Sequence, residues 1–218
     1  VVRAHVAAKE YGVRLAVGSR LVFTDGTPNI LAYPRDRAAY GRLCRLLTTG
    51  NMRAEKGDCI LTAVDLLEFS EGLRLIVVPP RRLLPAFGAQ VKKLAADLSD
   101  QLWLGVTMPR LGDDRRRLAA FAALAKAADL KPIALGDPLY HTHERRPLQD
   151  IVTCIREHVT IDEAGVRLEQ NAERHLKRPE EMERLFADLP EAVSETVRFL
   201  DGLSFSLGEL RYEYPRES

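Results

Sequence analysis

The sequence predicts a mixed α/β fold, a parallel sheet or barrel flanked by helices and followed by a helical segment. Three observations carry this. Short apolar runs at 73–78, 102–106 and 132–135 alternate with stretches of about 15 helical residues, the signature of βαβ units. After residue 136 the start and stop signals are those of helices alone. Of the 218 residues 46% are apolar, enough for a substantial core.

From the front, Val2, Val6 and Tyr11 share one face of a helix that Gly12 is placed to stop. The chain opens without methionine and already in a helical pattern, which predicts a piece of something longer. Residues 13 to 33 read as strands, Leu15-Ala16-Val17, then Leu21-Val22-Phe23 and Ile30-Leu31-Ala32-Tyr33 around the turn Asp25-Gly26-Thr27-Pro28. Asp36 is placed to cap a helix with apolar Tyr40, Leu43, Leu46 and Leu47, ending at Gly50. Residues 51 to 60 are polar and predict a surface loop. Thr62-Ala63-Val64-Asp65 reads as a capping box with Asp in place of Glu.

The strand 73–78 stops at Pro79-Pro80. A helix is expected over 82–98, a strand over 102–106, a helix capped by Asp113 or Asp114 and running to Ala128, and a strand over 132–135. Helices are expected over 145–158 and after Pro179 and Pro190, each followed by acids (Glu180, Glu181; Glu191) that suit a helix N-terminus. Ser206-Leu207-Gly208-Glu209 is a further box-like start, and Arg211 to Pro215 looks extended. The division expected is an α/β unit over 1–143 and a helical unit over 144–218.

Lysine plus arginine number 32 against 31 acids, a balance unlike that of a dedicated nucleic-acid binder. Cys44, Cys59 and Cys154 are scattered and odd in number, as reduced thiols in a reducing, cytoplasmic compartment would be. No stretch approaches the ~20 apolar residues of a membrane span. No Gly-x-Gly-x-x-Gly, P-loop or Gly-x-Ser-x-Gly occurs.

Three features could carry chemistry. His141-x-His143 would point both imidazoles one way on an extended segment, as a metal pair can, although a solvated loop is the plainer reading. Asp137 follows a strand, where site residues gather in parallel sheets. Arg115, Arg116 and Arg117 open a helix, where cations oppose the macrodipole. Helix stability leaves them unexplained, and a phosphate or an acidic partner is the alternative to a solvated face. Phosphate contact would make this a nucleic-acid or protein contact module.

Four stretches together resemble the error-prone branch of the bacterial DNA polymerase III alpha subunit, a C-family polymerase. They are Arg37-Ala38-Ala39-Tyr40-Gly41-Arg42-Leu43 with Arg53 to Gly57, Glu144 to His158, Asn171 to Lys177, and Glu209 to Pro215. The resemblance implies an incomplete, distorted β/α (TIM-like) barrel of the polymerase-and-histidinol-phosphatase (PHP) type, then a helical connection toward the polymerase palm. It implies that the polymerase carboxylates, the Mg they hold, and the sites for DNA and dNTPs lie downstream, with no cofactor in this segment. Damage-tolerance partner proteins are implied as well.

The family's PHP metal site uses a His-x-His expected before Val1, a Glu in a Gly-x-Glu stretch and an Asp-x-His pair. Here those places read Gly18-Ser19-Arg20 and Asp137-Pro138-Leu139, so Arg20 and Leu139 stand at degenerate ligand positions and Asp137 and His141 are weak remnants. A guanidinium ~4 Å from a metal opposes it by about 4 kcal/mol per metal charge at an effective dielectric near 20. The resemblance therefore implies a non-catalytic scaffold, with an Arg20–Asp137 ion pair across the former site. The competing expectation is a metal-dependent phosphoesterase or exonuclease. An unclosed barrel would also expose strand edges, so self-association of the isolated segment is expected.

Overall fold

A computed structural model of the chain describes residues 1–210. The expected extended end at 211–215 lies outside them. Helix α1 spans Val2–Glu10, and Gly12 takes the left-handed φ of 65° that a helix stop requires. Strands β1 (Ser19–Leu21) and β2 (Ile30–Pro34) form an antiparallel pair, with Leu21 opposite Ile30, but β1 ends at Leu21 where the expected strand begins, and Val22 and Phe23 lie outside it. Leu15-Ala16-Val17 is not a strand: the backbone there is irregular. The Asp25 turn is wide, and Asp25 accepts from the backbone N–H of Thr27 (3.1 Å) and of Ala63 (2.8 Å).

Helix α2 (Arg37–Met52) is capped by Asp36, which accepts from the Ala39 N–H at 2.8 Å. It does not stop at Gly50. That glycine is interior because the 59–61 loop crosses it: a Cβ there would lie 2.5 Å from Cys59 Sγ and 2.7 Å from Leu61. Helix α3 (Ala63–Phe69) begins with the expected Thr62/Asp65 capping box.

Strand β3 (Leu73–Val77), helix α4 (Pro85–Leu98), strand β4 (Leu102–Thr107), helix α5 (Asp114–Ala127) and strand β5 (Lys131–Leu135) form the expected βαβαβ run. Helix α4 starts three residues later than the pattern predicts, because Pro85 disfavours helical backbone just before it and suits the first turn itself. The sheet is open, in the order β1-β2-β3-β4-β5; β1–β2 and β2–β3 are antiparallel, β3–β4 and β4–β5 parallel.

Beyond β5 come α6 (Arg146–Glu157), α7 (Ile161–Ala164), α8 (Pro179–Leu185) and α9 (Pro190–Asp201), with both prolines in the first turn as expected. Among the described residues no helix is long and apolar enough to cross a membrane.

Alternation along the strands divides the core in two. Leu75, Val77, Leu104 and Val106 face one way and pack with α2 to α5. Ile76, Trp103 and Ile133 face the other way and pack against Phe199 and Leu203 from α9 and its exit. Trp103 Nε1 donates to Glu195 Oε1 at 2.9 Å, and the Trp103 and Phe199 rings meet edge to face at 4.9 Å. The last carbonyls of α9 accept from two arginines. Arg74 donates to Phe199 O at 2.7 Å and Arg14 to Leu200 O at 2.9 Å. Cations suit that end of a helix.

Candidate functional site at the strand ends

The three parallel strands β3, β4 and β5 end together, and a cavity of about 190 Å³ opens there, lined among others by Thr107, Arg117, Asp137, Arg174 and Lys177. Open parallel sheets place sites at this edge.

Asp137 follows Gly136 with a left-handed φ of 42°, a conformation Asp tolerates better than most residues. Both of its carboxylate oxygens are taken by guanidinium groups. Arg20 Nη2 donates to Oδ1 at 2.5 Å, and Arg174 Nη2 donates to Oδ2 at 2.7 Å. The expected contact between Arg20 and Asp137 is thus present, made by the edge strand β1 to the turn after β5. Tyr33 on β2 lines a second, adjoining hollow together with Arg20, Asp137 and Arg174. Burial pushes its phenol above the usual range, with the Arg20 charge opposing and the Asp137 charge reinforcing that rise.

Arg174 is the residue the sequence reading missed as a site member, although it lies inside the Asn171–Lys177 stretch that carried the resemblance. It also donates to the Asp137 carbonyl (2.9 Å) and to Glu169 Oε1 (2.6 Å). Residues 169–177 form a strap across the strand ends. Asn171 Nδ2 donates to Pro109 O at 2.8 Å, Arg81 donates to Gln170 Oε1 at 2.8 Å, and Arg110 pairs with Glu173 at 3.3 Å. The side chain of Lys177, 5% exposed, donates to the Glu173 carbonyl.

Leu139 is exposed, and its backbone N–H donates to Arg174 O at 2.8 Å. His141 and His143 are both exposed. They do not lie on one extended segment, because His143 opens a 3-10 turn (His143–Arg145). His143 instead faces His175, with ring centroids 6.1 Å apart. Among the described residues no hydrogen bond or ion pair joins His141 to Asp137, and no three His, Cys, Asp or Glu side chains are grouped to hold a metal. A divalent cation does not fit the Asp137 carboxylate as arranged, since it would displace two cations and sit beside them.

The arginine run divides. Arg115 is exposed and pairs with Asp188 at 3.3 Å, and Arg116 is exposed. Arg117 is only 8% exposed and lines the cavity at the strand ends rather than the outer surface. Its guanidinium donates to Arg81 O (2.8 Å), Pro80 O (3.3 Å) and Thr107 Oγ1 (3.4 Å), tying α5 to the ends of β3 and β4. This explains a cation in the first turn of α5 that helix electrostatics left unexplained.

No protein-family model matches the chain. Curated relatives do. An error-prone DNA polymerase of Rhodopseudomonas palustris is 55% identical over 205 residues, which is 94% of this chain and 18% of that protein. Error-prone DNA polymerases of Caulobacter vibrioides and Brucella abortus are 48% and 49% identical over the whole chain, covering 20% and 21% of their own lengths. The chain therefore spans about one fifth of the curated relatives it matches.

Proposed function

Because the chain is homologous along its length to one portion of error-prone DNA polymerases, we propose that it is a non-catalytic scaffold portion of such a polymerase. In this reading residues 1–143 are the incomplete, distorted PHP-type barrel and residues 144–218 connect it to the palm. DNA, dNTPs and Mg are handled by parts of the polymerase outside this chain, in the cytoplasm.

One observation carries the scaffold reading: the carboxylate at the end of β5 is neutralised by Arg20 and Arg174. Two fixed guanidinium groups supply the positive charge that a metal would otherwise bring to that carboxylate. They do so without a Lewis-acid centre or a position open to water.

The test uses the full-length protein, assayed for primer extension and, with manganese, for release of phosphate from a phosphomonoester and of nucleotides from a DNA 3′ end. Primer extension that survives Asp137→Asn, with no phosphoesterase or exonuclease activity in the wild type, is the expected result. A manganese-dependent hydrolytic activity that Asp137→Asn abolishes would establish the phosphoesterase reading instead.

A further inference from the structure

Helix α6 presents its apolar side to solvent. Leu148, Ile151, Val152 and Ile155 are 55%, 54%, 47% and 69% exposed. At about 100° per residue these four fall within an arc of about 100° on the helix, the i, i+3, i+4, i+7 stripe that normally faces a core. The opposite side is already used: Thr153 and Cys154 are buried there, and the helix packs on α7 and the turn before it. Exposed Arg145, Arg156 and His158 flank the stripe. An apolar centre with a charged rim is the composition of an interface.

We propose that this face of α6 docks against the part of the polymerase polypeptide that lies outside this chain. The inference rests on the polymerase reading above. Two arguments select this occupant over a second copy. The matched portion is only 18–21% of each relative's length, so about four fifths of the polypeptide of such a polymerase lies outside it. The stripe is also small. A 12-residue helix offers a face of roughly 18 Å by 10 Å, on the order of 200 Å², well short of the ~800 Å² per partner of a stable interface between separate molecules. A patch of that size is held when its partner is covalently tethered, where effective concentrations reach the millimolar range.

The test is thiol labelling of the full-length polymerase carrying Ile151→Cys or Ile155→Cys, read peptide by peptide by mass spectrometry. For each site the maleimide rate in native buffer is compared with the rate in urea. Native labelling at least ten-fold slower than in urea, and unchanged on dilution, is expected at both sites. Rates within about two-fold of each other would show an open face and overturn the proposal. Protection that disappears on dilution would assign the face to a second copy and overturn it equally. Primer extension by the wild-type preparation reports separately on the polymerase reading.

Discussion

Arg174 grips Asp137 at two points, Nη2 to the carboxylate at 2.7 Å and Nε to the main-chain carbonyl at 2.9 Å. This two-point contact fixes the 169–177 strap to the turn after β5. Only a planar fork spans both acceptors, so Arg174→Lys is not conservative here. The substitution is expected to destabilise the chain by about 1–2 kcal/mol in urea titrations, since hydrogen bonds to a charged group are lost in a partly covered setting. Arg20→Ala should cost less, about 0.5 kcal/mol, because that side chain is over one-third exposed and solvent screens the pair. Equal losses from the two variants would mean that the strap does not depend on Asp137.

The docking of α9 rests on a buried acid. Glu195 is 4% exposed, accepts from Trp103 Nε1, and meets Arg198 at 3.2 Å and Lys131 at 3.8 Å. Glu195→Gln keeps an acceptor for the indole, whereas Glu195→Ala leaves a buried N–H without one. The alanine variant is expected to lose about 2–3 kcal/mol and the glutamine variant about half of that. Trp103 is the chain's one tryptophan, so its fluorescence reports the change directly: undocking of α9 shifts the emission to the red.

Much of this framework was legible in the sequence, and the gaps have local causes. The three strands of the βαβαβ run and the caps at Asp36 and Thr62 follow from short-range signals, namely apolar alternation and side chains that reach the backbone three residues on. The same signals misread Gly50, whose role is set by Cys59 and Leu61 crossing the helix. They also misread Leu15-Ala16-Val17, which is apolar yet not paired into the sheet. At the strand ends, Arg20 and Asp137 were visible as a pair because each occupies a position that the resemblance singled out. Arg174 was not, because nothing local to residue 174 tells that its segment returns to the end of β5.

Arg117 and Arg116 stand side by side in sequence and differ in setting. Arg117→Ala would leave three oxygens near residues 80, 81 and 107 without their donor and should cost about 2–3 kcal/mol. Arg116→Ala should stay within about 0.5 kcal/mol of the parent. If the remaining exposed arginines touch nucleic-acid phosphate, Arg115→Glu with Arg116→Glu will weaken DNA binding by the full-length polymerase and flatten its salt dependence. Unchanged binding across a salt titration would retire phosphate contact for this run.

Asp65 gives the fold a pH dependence whose sign can be worked out. Burial alone would raise its carboxyl pKa. Hydrogen bonds from the Thr62 hydroxyl and backbone N–H, together with the Arg53 guanidinium at 2.8 Å, outweigh burial and hold it below the ordinary carboxylate range. A carboxyl whose folded pKa is depressed adds stability above its unfolded pKa of about 3.9 and loses it as pH falls through the lower folded value. Asp65→Asn should therefore be destabilised by about 1–2 kcal/mol at pH 7, the size of a lost cap with a charged partner. Its deficit relative to the parent should shrink once the pH drops below about 4. Urea midpoints of the two proteins measured from pH 7 to pH 2.5 decide the matter: parallel curves across that range would mean that Asp65 is not the group whose protonation weakens the fold.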